Sequence, residues 1–279
     1  MTINFTMLAQ NSYDDYVKQA CACAMSIRVS NPNSKISLIT NDTVPDKYNQ
    51  LFDDIVEIPW GDKARKSSWK VGNRWKIYHA SPYENTIVLD TDMLVLDNIK
   101  TWWNFLQNRD LYYVNRVKTY RGEWFTSGYY RKSFRVHNLP NLYSGFHYYR
   151  KSKLAHEFYH WLETVMNNWE LFQGQFAGGK YFQKDCSVDV SSAIVAKILD
   201  CEGEITSKTQ YPTFTHMKLY GQNWKSTLTD RWQERVGVYL NSDCELKVGN
   251  FKQNGIFHYT EKDFLTDKIF EIYEKRLGI

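Results

Sequence analysis

Asp90 and Asp92 are the two residues whose type and spacing most directly imply chemistry. They stand in the segment TIVLDTDMLVLDN, residues 86–98. In an extended chain, residues two apart face the same side, so both carboxylates converge where a strand ends. Two hard anionic oxygens placed this way make a site for a divalent cation such as Mn2+ or Mg2+. A diphosphate would then fill the positions the protein leaves open. The plainer account is that Asp92 caps a turn and Asp90 is solvated. The apolar runs on both sides of the triplet, TIVL and MLVL, favour the metal account.

Other residues could complete such a site. His258 lies between Phe257 and Tyr259; it is either a packed core histidine or a third metal ligand through a neutral imidazole. Lys262, four residues on, is either a point charge for phosphate or a solvated lysine at a helix start. Asp185 and Asp189 open an apparent helix, where each could do no more than complement the helix dipole. Residues 116–135 (RVKTYRGEWFTSGYYRKSFR) interleave basic and aromatic side chains, with Glu123 the one acid among them. That pattern suits an anionic partner whose rings or bases can stack, and equally a solvated, partly packed β-excursion. Arg121, Trp124, Tyr130, Arg131 and Lys132 are its candidate acceptor-binding residues.

The elements that must hold these residues read as α/β. Residues 2–9 predict a strand and 13–30 a helix, with Tyr16, Ala20, Cys23 or Ala24, and Ile27 recurring at helical steps. Asn31-Pro32-Asn33 ends that helix. Residues 35–40 and 54–59 predict further strands, and 74–79 a helix. TIVL at 86–89 reads as a strand buried on both faces of a mainly parallel sheet. Residues 142–149 and 250–258 give later strands; 152–168, 187–199 and 262–277 give helices. Strands alternating with helices predict a doubly wound, Rossmann-like sheet, which binds ligands beyond the carboxyl ends of its strands. Asp90 stands at that place. No repeat or linker divides the chain, so the expectation is a single domain over 1–279, with a core of about 1–200 and a C-terminal part of about 201–279.

With these residues in view, the sequence resembles the glycogenin-like glycosyltransferases of GT-A fold. The resemblance rests on TMLAQNSYDDYVKQA (6–20), RWKIYHASPYENTIVLDTDMLVL (74–96), LYSGFHYY (142–149) and GIFHYTEK (255–262). It implies a UDP-sugar donor, retention of anomeric configuration and a divalent cation on Asp90, Asp92 and His258. It implies that Ala9, Gln10, Asn11 and Tyr16 hold the nucleotide, with Thr91 beside it. Lys76 falls on the family's lysine near the donor sugar and phosphates. Ser144 and Gly145 line the sugar, with Tyr143 standing where the family has Asn. Lys262 meets the diphosphate, and Asp189 or Asp185 supplies the acidic residue beneath the sugar. The C-terminal part would close the donor site.

Whole-chain properties narrow the alternatives. The 279 residues carry a net charge of +4, 43% hydrophobic and 16% aromatic residues, the values of an aromatic-rich globular protein. Five cysteines without a CxxC pair read as reduced structural thiols of a cytoplasm-like compartment. No secretory leader and no membrane span is expected. A nucleotidyltransferase would want a Gly-rich basic loop after the first strand, where this chain has Ala9-Gln10-Asn11-Ser12. A non-catalytic sugar- or nucleic-acid-binding module leaves the paired aspartates unexplained. The acceptor, a glycan or a nucleic-acid base such as that of DNA, stays open.

Overall fold

The computed structural model describes residues 2–67, 70–125, 131–177, 184–218, 232–234 and 236–279. Its strands are β1 (Asn4–Leu8), β2 (Lys35–Ile39), β3 (Asp54–Val56), β4 (Asn85–Leu89), β5 (Met93–Val95), β6 (Leu111–Val114), β7 (Tyr143–Arg150), β8 (Thr215–His216), β9 (Val238–Leu240), β10 (Leu246–Val248), β11 (Phe251–Lys252) and β12 (Ile256–His258). Its helices are α1 (Tyr16–Ser30), α2 (Asp46–Asn49), α3 (Ile77–Ala80), α4 (Lys100–Leu106), α5 (Lys132–Val136), α6 (Lys153–Asn167), α7 (Trp169–Ala177), α8 (Val188–Ile198), α9 (Glu202–Ile205) and α10 (Asp267–Leu277).

Six strands form one sheet in the order β3-β2-β1-β4-β7-β6. The first four run parallel, and β7 runs antiparallel to both its neighbours. The expected mainly parallel, Rossmann-like sheet is therefore present. Side chains alternate between its faces. Phe5, Met7, Ile87 and Leu89 meet α1 and α10 on one face, while Leu8, Val88, Tyr113 and Tyr149 meet α6 and α8 on the other. Local signals explain the helix starts: Asp15, Ser152 and Ser187 accept a hydrogen bond from the backbone N–H three residues on.

The expected helix at 74–79 differs. Its first half is a 3-10 turn over Lys70–Lys76, and only Ile77–Ala80 is α-helical. Pro82 two residues later ends it. Three elements escaped the sequence reading: β6, α4 and the antiparallel sheet β11-β10-β9. The five cysteines are free, and no helix among the described residues is long and apolar enough to cross a membrane.

A second small sheet, in the order β5-β12-β8, carries the chain away from the Asp-Thr-Asp turn. In its register His258 stands opposite Met93 on one side and His216 on the other. This alignment folds the C-terminal part back onto the end of β4.

His147, buried on β7, fixes the floor between the sheet and α6. Its Nδ1 lies 2.8 Å from the Ser144 carbonyl oxygen, its Nε2 lies 2.7 Å from the Tyr159 hydroxyl, and its ring stacks on Tyr113 at 4.8 Å. Burial, and then the nearby Arg74 charge, push its pKa down to about 3. The unfolded chain takes up this proton near the ordinary value of about 6.5. The neutral ring thus contributes stability that is present above about 6.5 and is lost as pH falls toward about 3. Urea titrations of the protein and of His147→Gln between those limits should show a steeper loss in the parent, by up to about 1.4 kcal/mol per pH unit. Parallel slopes would show that His147 is protonated in the folded state.

Candidate active site

The Asp-Thr-Asp turn is clamped by the two sheets that meet at it. The Asp90 N–H donates to the Gly145 carbonyl of β7 at 2.8 Å, and the Asp92 carbonyl accepts the Tyr259 N–H just past β12 at 3.2 Å. The backbone, rather than the side chains, thus sets where the carboxylates point. Asp90, Asp92 and His258 bring one ligand atom each to within 4.8 Å of one another. Gly145 makes room for this. A Cβ there would lie 2.8 Å from Asp90 Oδ2 and 2.9 Å from Met93 Cε.

The two carboxylates attract every nearby cation. Arg74 Nη2 is ion-paired with Asp90. Lys262 Nζ lies 2.5 Å and His258 Nε2 3.2 Å from Asp92 Oδ2. Burial alone would raise the Asp92 pKa, but His258 and Lys262 outweigh it and hold the carboxyl well below the usual carboxylate range. Lys262 responds in kind. Burial lowers its pKa, and the Asp92 charge more than restores it. Two ionised carboxylates with an imidazole beside them fit a hard divalent cation, and Arg74 and Lys262 show how strongly positive charge is drawn there.

Around this turn opens a cleft of about 460 Å3. Of the residues expected at the nucleotide, Gln10 and Tyr16 line it. The Tyr16 ring lies 5.1 Å from Lys262 Nζ, and Asn73 donates to Gln10 Oε1 at 3.1 Å. Ala9 is buried, its N–H spent on the Ile39 carbonyl. Asn11 turns inward as well. Its N–H donates to Asp42 Oδ2 at 2.7 Å and its Oδ1 accepts the Val17 N–H at 3.0 Å, which seats the start of α1. Thr91, Ser144, Gly145 and Lys262 line the cleft as expected.

Four expectations need correction. Lys76 does not reach the cleft: it is fully buried, donates to the Gly61 carbonyl and lies over the Trp75 ring. In a 3-10 turn a step of two residues rotates the side chain by about 240°, so Arg74 holds the place expected for Lys76. Asp185 is exposed and outside the cleft lining. Asp189 lines the cleft, but its oxygens are engaged. Oδ1 accepts the Ser144 N–H at 2.8 Å and hydroxyl at 2.5 Å, and Oδ2 accepts Arg131 at 2.5 Å. Burial raises its pKa, but Arg131 and Ser144 bring it below the ordinary value. Arg131, expected on the acceptor surface, is buried. Its guanidinium lies 3.7 Å from the Phe134 centroid and 4.1 Å from that of Tyr143, and it also donates to Asn141 Oδ1 and the Leu142 carbonyl. It belongs to the wall behind Ser144.

Of the other acceptor candidates, Tyr130 lies outside the described residues, and Arg121, Trp124 and Lys132 are absent from the cleft lining. Trp124 is half-buried, with Arg116 Cζ at 4.6 Å and Lys118 Nζ at 5.3 Å from its ring centroid. Residues the sequence reading missed include Arg74, Ser187, Val188, His216 and Lys218, all in the lining. His216 is buried, and burial together with His258 and Lys218 holds its pKa well below the ordinary value. Burial likewise lowers that of Lys218. Arg74 had a visible signal, two residues before a lysine already singled out. His216 had none, because only the register of β8 against β12 brings it to the site.

No protein-family model and no curated protein sequence matches the chain. Solved structures do. The galactosyltransferase LgtC, in complex with donor and acceptor sugar analogs, superposes with a TM-score of 0.55 at 14% identity, over 98% of this chain and 96% of LgtC. The apo glycosyltransferase GlyE of Streptococcus pneumoniae gives 0.51 at 15% identity, over 98% of this chain and 60% of its own. Mouse xyloside xylosyltransferase 1 gives 0.51 at 10% identity, over 93% and 98%. The chain therefore has the GT-A fold, the architecture implied by its Asp-Thr-Asp strand.

Proposed function

We propose that the chain is a metal-dependent glycosyltransferase that transfers a sugar from a nucleotide-sugar donor, read as a UDP-sugar, to an acceptor. The observation that carries this reading is the convergence of Asp90, Asp92 and His258 beyond the carboxyl end of β4, in a fold shared with galactosyl- and xylosyltransferases. Mn2+ or Mg2+ held by those three residues supplies Lewis-acid stabilisation of the charge on the departing diphosphate. Arg74 and Lys262, already drawn to the carboxylates, are placed to hold phosphate oxygens. Tyr16 and Gln10 flank the nucleotide, and Ser144 and Gly145 wall the sugar.

The carboxylates lining the cleft among the described residues are Asp90, Asp92 and Asp189. The first two are assigned to the metal, and Asp189 is committed to Ser144 and Arg131. None is left as a nucleophile, which supports retention by front-face departure of the diphosphate. The free thiols support a reducing compartment such as the cytoplasm.

The acceptor side is read from residues 116–125. Their backbone joins β8, through Lys118 N–H to the Phe214 carbonyl at 3.0 Å and His216 N–H to the Lys118 carbonyl at 2.8 Å, and Phe214 and His216 line the cleft. The Arg116–Trp124–Lys118 cluster therefore stands one strand from the donor. Cations flanking an indole suit an anionic acceptor, a charged glycan in the first instance, with DNA as the other candidate.

Three outcomes test these assignments. Chelation should abolish hydrolysis and transfer of a UDP-sugar, with Mn2+ or Mg2+ restoring both. Asp90→Asn or Asp92→Asn should lose more than the about 10- to 100-fold typical of an outer-shell change while remaining folded by circular dichroism. Turnover near the parent's in a folded double variant would sink the metal assignment.

Gly145→Ala should weaken Mn2+ binding by calorimetry by about 10- to 100-fold, because its Cβ would displace the Asp90 carboxylate. Unchanged affinity would show that the carboxylate has room to retreat. Finally, Arg116→Glu with Lys118→Glu should leave metal-dependent donor hydrolysis intact and raise the KM for phosphorylated or uronate glycans, or for single-stranded DNA, flattening its salt dependence. If donor hydrolysis collapses instead, the cluster serves the donor site.

A further inference from the structure

We infer that His216 is a positioning residue that sets the tautomer and ring orientation of His258 through a hydrogen bond between their Nδ1 atoms. This inference rests on the proposed metal site. The two histidines stand opposite each other in the parallel pair β8 and β12. Their ring centroids are 4.9 Å apart and their Nδ1 atoms 3.1 Å apart. One proton bridges such a pair: one nitrogen donates and the other accepts.

The other end of His258 decides which. Its Nε2 faces Asp92 Oδ2 at 3.2 Å, within the Asp90, Asp92 and His258 cluster. A nitrogen that ligates a cation offers a bare lone pair, so the ring's proton resides on Nδ1. His258 Nδ1–H then donates, His216 Nδ1 accepts, and His216 carries its own proton on Nε2. Metal-ligating histidines usually spend their second N–H on such a partner, which orients the ring and raises its basicity. Here the partner is an imidazole where a carboxylate or backbone carbonyl is common.

The surroundings keep this partner in register. His216 is buried. Phe125, Tyr143 and Phe214 present their rings to it edge-on at 5.7, 5.9 and 5.9 Å between centroids, and its backbone N–H is spent on the Lys118 carbonyl. A ring boxed in this way offers its Nδ1 in one direction. Tyr143 thus packs His216 on one side and Arg131 on another.

The test compares two substitutions in the whole chain by the binding of Mn2+ alone, followed by electron paramagnetic resonance and calorimetry. His216→Phe keeps an aromatic plug but has no acceptor. His216→Asn places an amide oxygen near the position of Nδ1. The inference expects His216→Phe to weaken Mn2+ binding by about 10- to 100-fold and His216→Asn to stay within a few-fold of the parent. Nitrogen-15 spectra of the Mg2+-loaded protein should show His258 protonated on Nδ1 and bare on Nε2. Unchanged affinity in His216→Phe overturns the inference. So does an equal loss in both variants, which would assign His216 to packing alone, or a His258 proton on Nε2. His258→Ala serves as the control. If it leaves Mn2+ affinity unchanged, the metal reading itself has failed. If it weakens binding while His216→Phe does not, only the role of His216 falls.

Discussion

Two carboxylates two residues apart, at the buried end of a central strand, are the constraint on which the site depends. Neither carboxylate can be withdrawn, because the backbone on both sides of Thr91 is bonded to other strands, Asp90 to β7 and Asp92 to the segment after β12. The charge must be met by cations brought to it. Burying an unpaired carboxylate costs several kcal/mol, so Arg74, Lys262 and His258 are as much a condition of the fold as of any chemistry. The arrangement is also permissive. Cations on flexible side chains can move aside for a metal and regroup on its ligand's phosphates.

The same constraint explains the distribution of the site along the chain. The sheet supplies Gln10, Asp90 and Ser144; the small sheet β5-β12-β8 supplies His216 and His258. Asp92 belongs to both, since it is the residue at which the chain passes from one sheet toward the other. The C-terminal part is thus an integral wall of the cleft: β12 pairs with β5 directly after the turn, and the Gly255 N–H is held by Asp97 Oδ2 at 2.7 Å.

Where the sequence was legible, a strong local pattern and the fold agreed. The strands β1, β2 and β4, the helices α6 and α8, and the Asp-Thr-Asp turn each combine an apolar run with a punctuating residue, and each formed within a few residues of its expected bounds. His258 and Lys262 were found because they follow an apolar strand near a recognisable ending. The failures share a different cause. Lys76 was placed by distance along the chain, and a 3-10 turn changes which side chain faces the cleft. Asp189 and Arg131 were read separately, as a sugar contact and an acceptor contact. Nothing in the composition shows that a residue of the basic stretch and one 58 positions later form a pair. His216 lies in a strand of two residues, too short to carry a period at all.

Arg131 shows what the basic stretch is made of. Its guanidinium meets three acceptors, Asp189, Asn141 and the Leu142 carbonyl, while its flat faces lie against Phe134 and Tyr143. A planar fork with five donors and two stacking faces can do this; an ammonium group cannot. The arginine makes Asp189 tolerable in the interior, and Asp189 in turn captures both the N–H and the hydroxyl of Ser144. The residue before that serine is Tyr143, where the resembled family has Asn. In this chain a side chain that could reach a sugar is exchanged for a ring that packs Arg131 and His216. The exchange shifts the wall of the cleft from direct polar contact toward rigid packing. Specificity at this wall must then come from the shape and fixed hydrogen bonds of Ser144 and Gly145 rather than from an adaptable amide.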